Sequence, residues 1–322
     1  MPPVATTIVS PVAPLLDLDR LAREAADLAR GSRSKATWRA YESDWQDFTA
    51  WCAATGLEPL PAVPVTVGLY LADRAATLSV ATLTRRVSAI AVRHRLAGHY
   101  LDTRHPGIRD VLAGLRRSKG VASRRQAEAL TVPLAKRAVA TCADRLIDLR
   151  DRALILIGLA GGFRRSELVL LTLADVTVTE DGLRIVVRRS KGDQDGEGQV
   201  VGINRTGRAT CPLAAHQAWI AGAGISEGRV FRSVNRHGQV GTSLSDRAVA
   251  LIVQRRADLA GLNGAAFSGH SLRAGFATSA ARSGVAERDI MATTRHRSTT
   301  ILRRYIRDGE LFTKSVTNQI GL

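Results

Sequence analysis

The sequence predicts a mainly α-helical protein with a small antiparallel β-sheet, arranged as two domains. Three observations predict this. Apolar residues recur at steps of three and four along most of the chain. One stretch alternates apolar and polar residues and has a partner a short turn away. The apolar pattern also breaks near residues 119–130, dividing 322 residues of 45% hydrophobic content into two parts that can each bury a core.

Residues 1–16, rich in Pro and Val, read as a flexible tail, and residues 17–118 as a helical domain. From Trp38, the residues Tyr41, Trp45, Phe48 and Cys52 form one apolar stripe that stops at Gly56, the signature of an amphipathic helix with a glycine end. A second helix follows Pro64 over Val65 to Ala76. A third starts at the N-cap candidate Ser79, with Leu83, Val87 and Ile90 facing inward. Its arginines Arg85, Arg86, Arg93 and Arg95 are expected outward, where they would suit DNA phosphates. Ile108, Val111, Leu112 and Leu115 extend the helical pattern to the basic run ending at Gly120. Residues 119–130 are polar, basic and poor in large apolar groups, and read as a linker.

Residues 131–322 form the second domain. Helices are predicted from Thr131 and through Ala153 to Leu159, ending at Gly161-Gly162. The alternation at Leu183 to Arg188 and the return near Gln199 to Ile203 predict a hairpin, with the polar turn Ser190 to Gly198 between the strands. Ser245 to Leu259, Leu272 to Arg282 and Glu287 to Thr294 read as helices, followed by a last one carrying Tyr305.

Composition narrows the function. Lys and Arg number 46 against 29 Asp and Glu, a formal charge of +17, and a surplus of this size attracts a polyanion, with nucleic acid foremost. Nearly all of it is arginine, whose planar fork suits bidentate phosphate contacts. The lysines are Lys35, Lys119, Lys136, Lys191 and Lys314. Cys52, Cys142 and Cys211 are widely spaced with no metal-ligand pattern, so they read as reduced packing residues. No basic leader precedes the N-terminal apolar stretch, and no run reaches the roughly 18 residues that cross a bilayer. The expectation is a cytoplasmic, nucleoid-associated protein.

Breaking a phosphodiester without a metal requires a nucleophile, cations for the charge growing on phosphoryl oxygens, and an acid for the departing sugar oxygen. The second domain offers each. In Gly161-Gly162-Phe163-Arg164-Arg165-Ser166-Glu167, the glycines allow a turn that exposes Arg164, and Glu167 can reach back to orient it. His270 and Arg273, three apart, share one helix face. His296 precedes Tyr305 by nine residues, and Tyr305 follows Arg303 and Arg304 as the sole tyrosine after Tyr100. Taken singly, each is equally compatible with a structural role: a surface pair, a satisfied histidine, a half-buried aromatic.

Taken together, the order Arg164, Lys191 on a hairpin, His270-x-x-Arg273, His296 and Tyr305 resembles the tyrosine recombinase, or phage integrase, family over essentially the whole chain. The resemblance is to its two-domain, Cre-like and Xer-like members. It implies an N-terminal helical core-binding domain of the SAM-like type and a mixed α/β catalytic domain. It implies that Arg164 and Arg273 clamp the scissile phosphate and that Lys191 protonates the leaving 5′-oxygen. His270 and His296 would contact the phosphate, either of them taking the proton of Tyr305, and Tyr305 would attack phosphorus. Glu167 would orient Arg164 from behind. Residues 306–322, with Leu311, Phe312, Val316 and Ile320 at helical spacing, would dock on a neighbouring subunit. The implied partner is double-stranded DNA with specific recombination sites, bound as a dimer per site and a homotetramer overall. No cofactor, metal, small-molecule substrate or membrane is implied. One departure stands out: many family members have Leu-Gly-His where this chain has Thr294-Arg295-His296, which reads as a variant turn. Two other readings are a type IB topoisomerase, with a similar residue set on a related catalytic fold, and a non-catalytic helical DNA-binding regulator.

Overall fold

A computed structural model describes residues 17–31, 33–120, 127–188, 198–295 and 299–310. The chain forms two compact units, Met1–Arg124 and Arg125–Leu322.

The first unit is helical: α1 (Leu18–Gly31), α2 (Lys35–Thr55), α3 (Pro64–Arg74), α4 (Val80–Leu96) and α5 (Pro106–Lys119). The ends are set locally. The Ser34 side chain accepts from the Thr37 N–H at the start of α2, and Gly56 ends that helix at φ 70. Ser79 caps α4 in the same way, accepting from Thr82. Helix α2 packs on α4 and α3 on α5, around Phe48, Tyr70, Leu83, Ile90 and Ile108, all fully buried. The α3 to α5 approach is close: a Cβ on Gly68 would lie 2.2 Å from the Gly107 carbonyl oxygen.

The arginine row of α4 differs from expectation at one position. Arg86 is only 9% exposed and does not face outward. Its Nη1 donates to Asp47 and to the Tyr70 hydroxyl, and Asp44, itself 2% exposed, lies 3.6 Å from its Nε. Two carboxylates drawn into the bundle need a cation, and Arg86 turns inward to supply it. Arg85 is exposed but forks onto both oxygens of Asp44, and Arg93 pairs with Glu42. Arg95 is exposed.

The second unit runs α6 (Val132–Ala140), α7 (Leu146–Ala160), α8 (Arg165–Leu170), β1 (Val176–Val178), β2 (Gly182–Val187), β3 (Gln199–Asn204), α9 (Pro212–Gly222), α10 (Asp246–Leu259), α11 (Ser271–Arg282), α12 (Glu287–Thr294) and α13 (Thr299–Glu310). The sheet has the order β1-β2-β3, all antiparallel, with Ile185 paired to Val176 on one side and Val201 on the other. Helix α7 is the central element, packed against α6, α8, α9, α10 and α11. Its two buried carboxylates, Asp148 and Asp151, are met by Arg256 of α10, by Arg150 and by Arg255. Residues 127–130 belong to this packed unit: Glu128 donates to the Ala266 carbonyl, Leu130 to that of Ser271, and Leu130 is fully buried. Among the described residues no helix is long and apolar enough to cross a membrane.

Candidate active site

The site is assembled where the end of α7, the start of α8, the start of α11, the end of α12 and the middle of α13 converge. Helix α7 terminates at Gly161-Gly162. Gly162 adopts φ 55, so the chain reverses there and presents Arg164 as the residue that precedes α8. Glu167, one turn into α8, accepts the Arg164 backbone N–H at 2.9 Å and the guanidinium Nη1 at 2.5 Å. The short helix thus closes a ring that aims the Arg164 side chain. Burial alone would raise the Glu167 pKa. The charge of Arg295, the Arg164 backbone N–H and the Arg164 charge outweigh it and hold the group below the usual carboxylate range.

Arg273 lies in the first turn of α11 with no solvent exposure. Its Nη1 donates to the Gly162 carbonyl at 2.9 Å, while its Nε and Nη2 are buried with no hydrogen-bond partner. Burial, followed by repulsion from Arg164, pulls its pKa down to about 9, so it remains a cation at neutral pH and is held at a cost.

His270 stands just before α11 with helical backbone angles, adjoining Arg273 in space, and keeps an edge open to solvent. Crowding by surrounding atoms, then the charges of Arg273, Arg164 and Arg165, push its pKa below the ordinary histidine value. It therefore rests as the neutral imidazole at pH 7. Its ring centre is 6.2 Å from that of Tyr305, the planes tilted by 49°. Tyr305, 8% exposed, points from α13 into a small core with Ala274, Ala277, Ala281, Ile290 and Leu302. Alanines on α11 let α13 approach closely and bring Tyr305 to the Arg273 end of that helix. A cleft of about 610 Å³ opens beside it, with Thr131, Thr278 and Arg282 among its walls.

The fold thus brings together Arg164, Glu167, His270, Arg273 and Tyr305. Lys191 and His296 lie outside the described residues, as do Leu311, Phe312, Val316 and Ile320 of the terminal segment. One participant was not singled out from sequence. Arg295, read there as a turn variant, is 6% exposed and sits inside the same cluster, paired to Glu167 at 2.8 Å. The signal was present: a large cation stands where the turn geometry favours glycine.

The family profile described as the phage integrase family matches residues 128–310, the span holding every one of these groups. An integrase/recombinase xerD homolog of Selenomonas ruminantium is 39% identical over 308 residues, covering 94% of this chain and 90% of its own. The chain belongs to the phage integrase family. Members of this family, the tyrosine recombinases, cut and rejoin DNA. Solved structures share the recombinase's fold at low identity. The Tn1549 transposon integrase in complex with transposon right end DNA has a TM-score of 0.61 at 16% identity, covering 89% of this chain and 92% of that one. A lambda integrase tetramer bound to a Holliday junction has a TM-score of 0.56 at 16% identity, covering 91% and 77%.

Proposed function

We propose that this recombinase cleaves and rejoins specific DNA sites through a 3′-phosphotyrosyl bond at Tyr305. The observation that carries this reading is Arg273: a fully buried guanidinium with two unpartnered nitrogens, beside a second arginine and a tyrosine. Orphaned buried donors are rare, and donors this arranged suit the oxygens of a phosphodiester.

In the proposed reaction Arg164 and Arg273 grip the two non-bridging oxygens and neutralise charge as it grows on them. The Tyr305 oxygen attacks phosphorus, its proton passing to His270 or His296. The bond to the 5′-oxygen breaks, and Lys191 delivers a proton to that oxygen. A partner strand's 5′-hydroxyl reverses the step and expels the tyrosine. Each step exchanges one phosphodiester for another, so no ATP is consumed. Glu167 aims Arg164 and does not touch the phosphate. The first unit grips the duplex as a core-binding domain, with Arg85, Arg93 and Arg95 toward the phosphates, and the second unit carries the chemistry. A dimer on each site and a tetramer across a Holliday junction, joined through residues 306–322, complete the assembly. Family membership and the lambda integrase tetramer support this arrangement. Movement of a mobile element, within the nucleoid of the cytoplasm, is the setting that fits these properties.

The test is a suicide DNA substrate drawn from the flanking genomic sequence, assayed for a denaturant-resistant adduct mapped by mass spectrometry. Tyr305→Phe is expected to abolish the adduct and leave DNA affinity within about twofold, because a buried ring loses only its hydroxyl. Tight binding with no adduct from the native chain would instead identify a catalytically silent DNA-binding protein.

A further inference from the structure

We propose that Arg295 is a positioning residue, a clasp that fixes Arg164 in its phosphate-binding orientation. The inference rests on the reading of Arg164 given above and extends it to a residue with no assigned role.

Arg295 ends α12 at φ 58, ψ 43, the left-handed region, and is the one non-glycine with positive φ among the described residues. Side chains disfavour this conformation, so the surroundings must hold it there. What holds it is the guanidinium. Nη1 donates to the carbonyls of Thr293 at 2.6 Å and Gly161 at 3.3 Å. Nη2 donates to the Gly162 carbonyl at 3.3 Å and to Glu167 Oε2 at 2.8 Å. Its carbon centre lies 4.9 Å from the middle of the Phe163 ring.

Every one of these partners except Thr293 belongs to the stretch 161–167 that presents Arg164. The backbone completes the clasp, because the Arg295 carbonyl accepts from Arg164 Nη2 at 3.1 Å. The Arg164 fork is therefore tied at both terminal nitrogens, Nη1 by Glu167 and Nη2 by Arg295. Arg295 in turn holds the same carboxylate that holds Nη1. Loss of its side chain would release the Gly161-Gly162 turn, free Glu167 to swing, and leave the carbonyl that Arg164 uses on a loosened turn. Arg295 also immediately precedes His296, so the end of α12 and the Arg164 turn are locked to one another at the site.

The test has two arms. In the first, adduct formation at Tyr305 on suicide DNA is timed under single turnover for the native chain, Arg295→Gly, Arg164→Ala and the double variant. Glycine relieves the backbone conformation, so R295G is expected to fold; should it melt below the assay temperature, Arg295→Lys takes its place. The expected result is a loss of about 100-fold for R295G with DNA affinity within about twofold, as misplacement of a binding group predicts. In the R164A background the same change is expected to cost less than about threefold, because two residues acting through one another do not add. A native rate in R295G, or equal losses in both backgrounds, would overturn the proposal.

In the second arm the DNA-free protein is titrated with inorganic sulfate, and the Nε signals of Arg164 and Arg273 are followed by NMR. R295G is expected to weaken the response at Arg164 by about tenfold while Arg273 still responds. An unchanged Arg164 response would sink the clasp. A native chain that forms no adduct, yet shows this selective loss with sulfate, would leave the clasp standing and refute the recombinase reading.

Discussion

At the scale of single residues, the site keeps more positive charge than it can neutralise internally. Arg164 and Arg295 share Glu167, whereas Arg273 has only a backbone carbonyl. Replacing it with a shape-matched apolar group, Arg273→Met, is expected to raise the stability of the DNA-free protein by about 1–4 kcal/mol in urea denaturation while ending adduct formation. Arg273→Lys keeps the charge but loses the fork, and is expected to cost activity as well. A destabilised R273M protein would show that the Gly162 contact outweighs the burial of charge. His270 gives a pH signature. Its folded-state pKa is lowered from 6.5, so as pH falls the unfolded chain takes up the proton first. The stability that His270 contributes is therefore complete above pH 6.5 and lost as pH drops through its lower folded value. His270→Gln is expected to flatten the fall in melting temperature between neutral pH and pH 5, measured without DNA. Arg164, Glu167, His270, Arg273 and Tyr305 could be nominated from sequence because their order is distinctive. The inward turn of Arg86 could not, because it follows from the buried Asp44 and the half-buried Asp47, both distant from it in sequence, and Arg295 was marked only as a departure at its turn, its contacts with residues 161–167 being a matter of the folded chain.

At the scale of elements, helices with one apolar face were legible because their periodicity survives in the sequence. Ser79 and Gly56 mark ends by chemistry that any reader can apply. Helix α9 escaped because Pro-Leu-Ala-Ala-His-Gln-Ala-Trp-Ile-Ala-Gly is apolar nearly all round and has no polar face to set the period. Strand β1, three residues long, is shorter than any window that reveals alternation. Helix α1 lies in the stretch predicted to be helical only in outline, and its leucines Leu18 and Leu28 remain exposed. Packing between α7 and α10 depends on ions that no periodicity reports. Asp151 is fully buried and accepts from Arg150, Arg255 and Arg256, with Arg256 Nε at 2.7 Å. Asp151→Ala strands the buried Arg150 charge and leaves Arg256 with Asp148 as its one carboxylate, and is expected to destabilise the second unit by about 3–5 kcal/mol, read from a shifted denaturation midpoint at unchanged slope. A change below about 1 kcal/mol would mean that water reaches these arginines once the carboxylate is gone.

At the scale of the whole molecule, each unit owns a core: one built on Phe48, Tyr70 and Leu83, the other on α7 with the sheet and the later helices. Each also contains a close approach of helix to neighbouring backbone that a methyl group would obstruct. In the first unit this is Gly68 against Gly107; in the second, a Cβ on Gly275 of α11 would lie 2.0 Å from the Leu130 carbonyl oxygen. Because α11 carries Arg273 and follows His270, Gly275→Ala is expected to lower adduct formation together with stability. Gly68→Ala is expected to weaken the first unit and spare sulfate binding at Arg273. Two cores imply two cooperative transitions, and calorimetry is expected to resolve them as a pair in which each alanine lowers one. Coincident shifts from both variants would mean that the units melt as one. Cooperativity divided this way makes a single melting temperature a composite for this chain. On the division of roles proposed above, a solution that has lost only one transition would hold molecules that still bind DNA without cutting it, or that keep an intact catalytic pocket with nothing to hold the duplex in place.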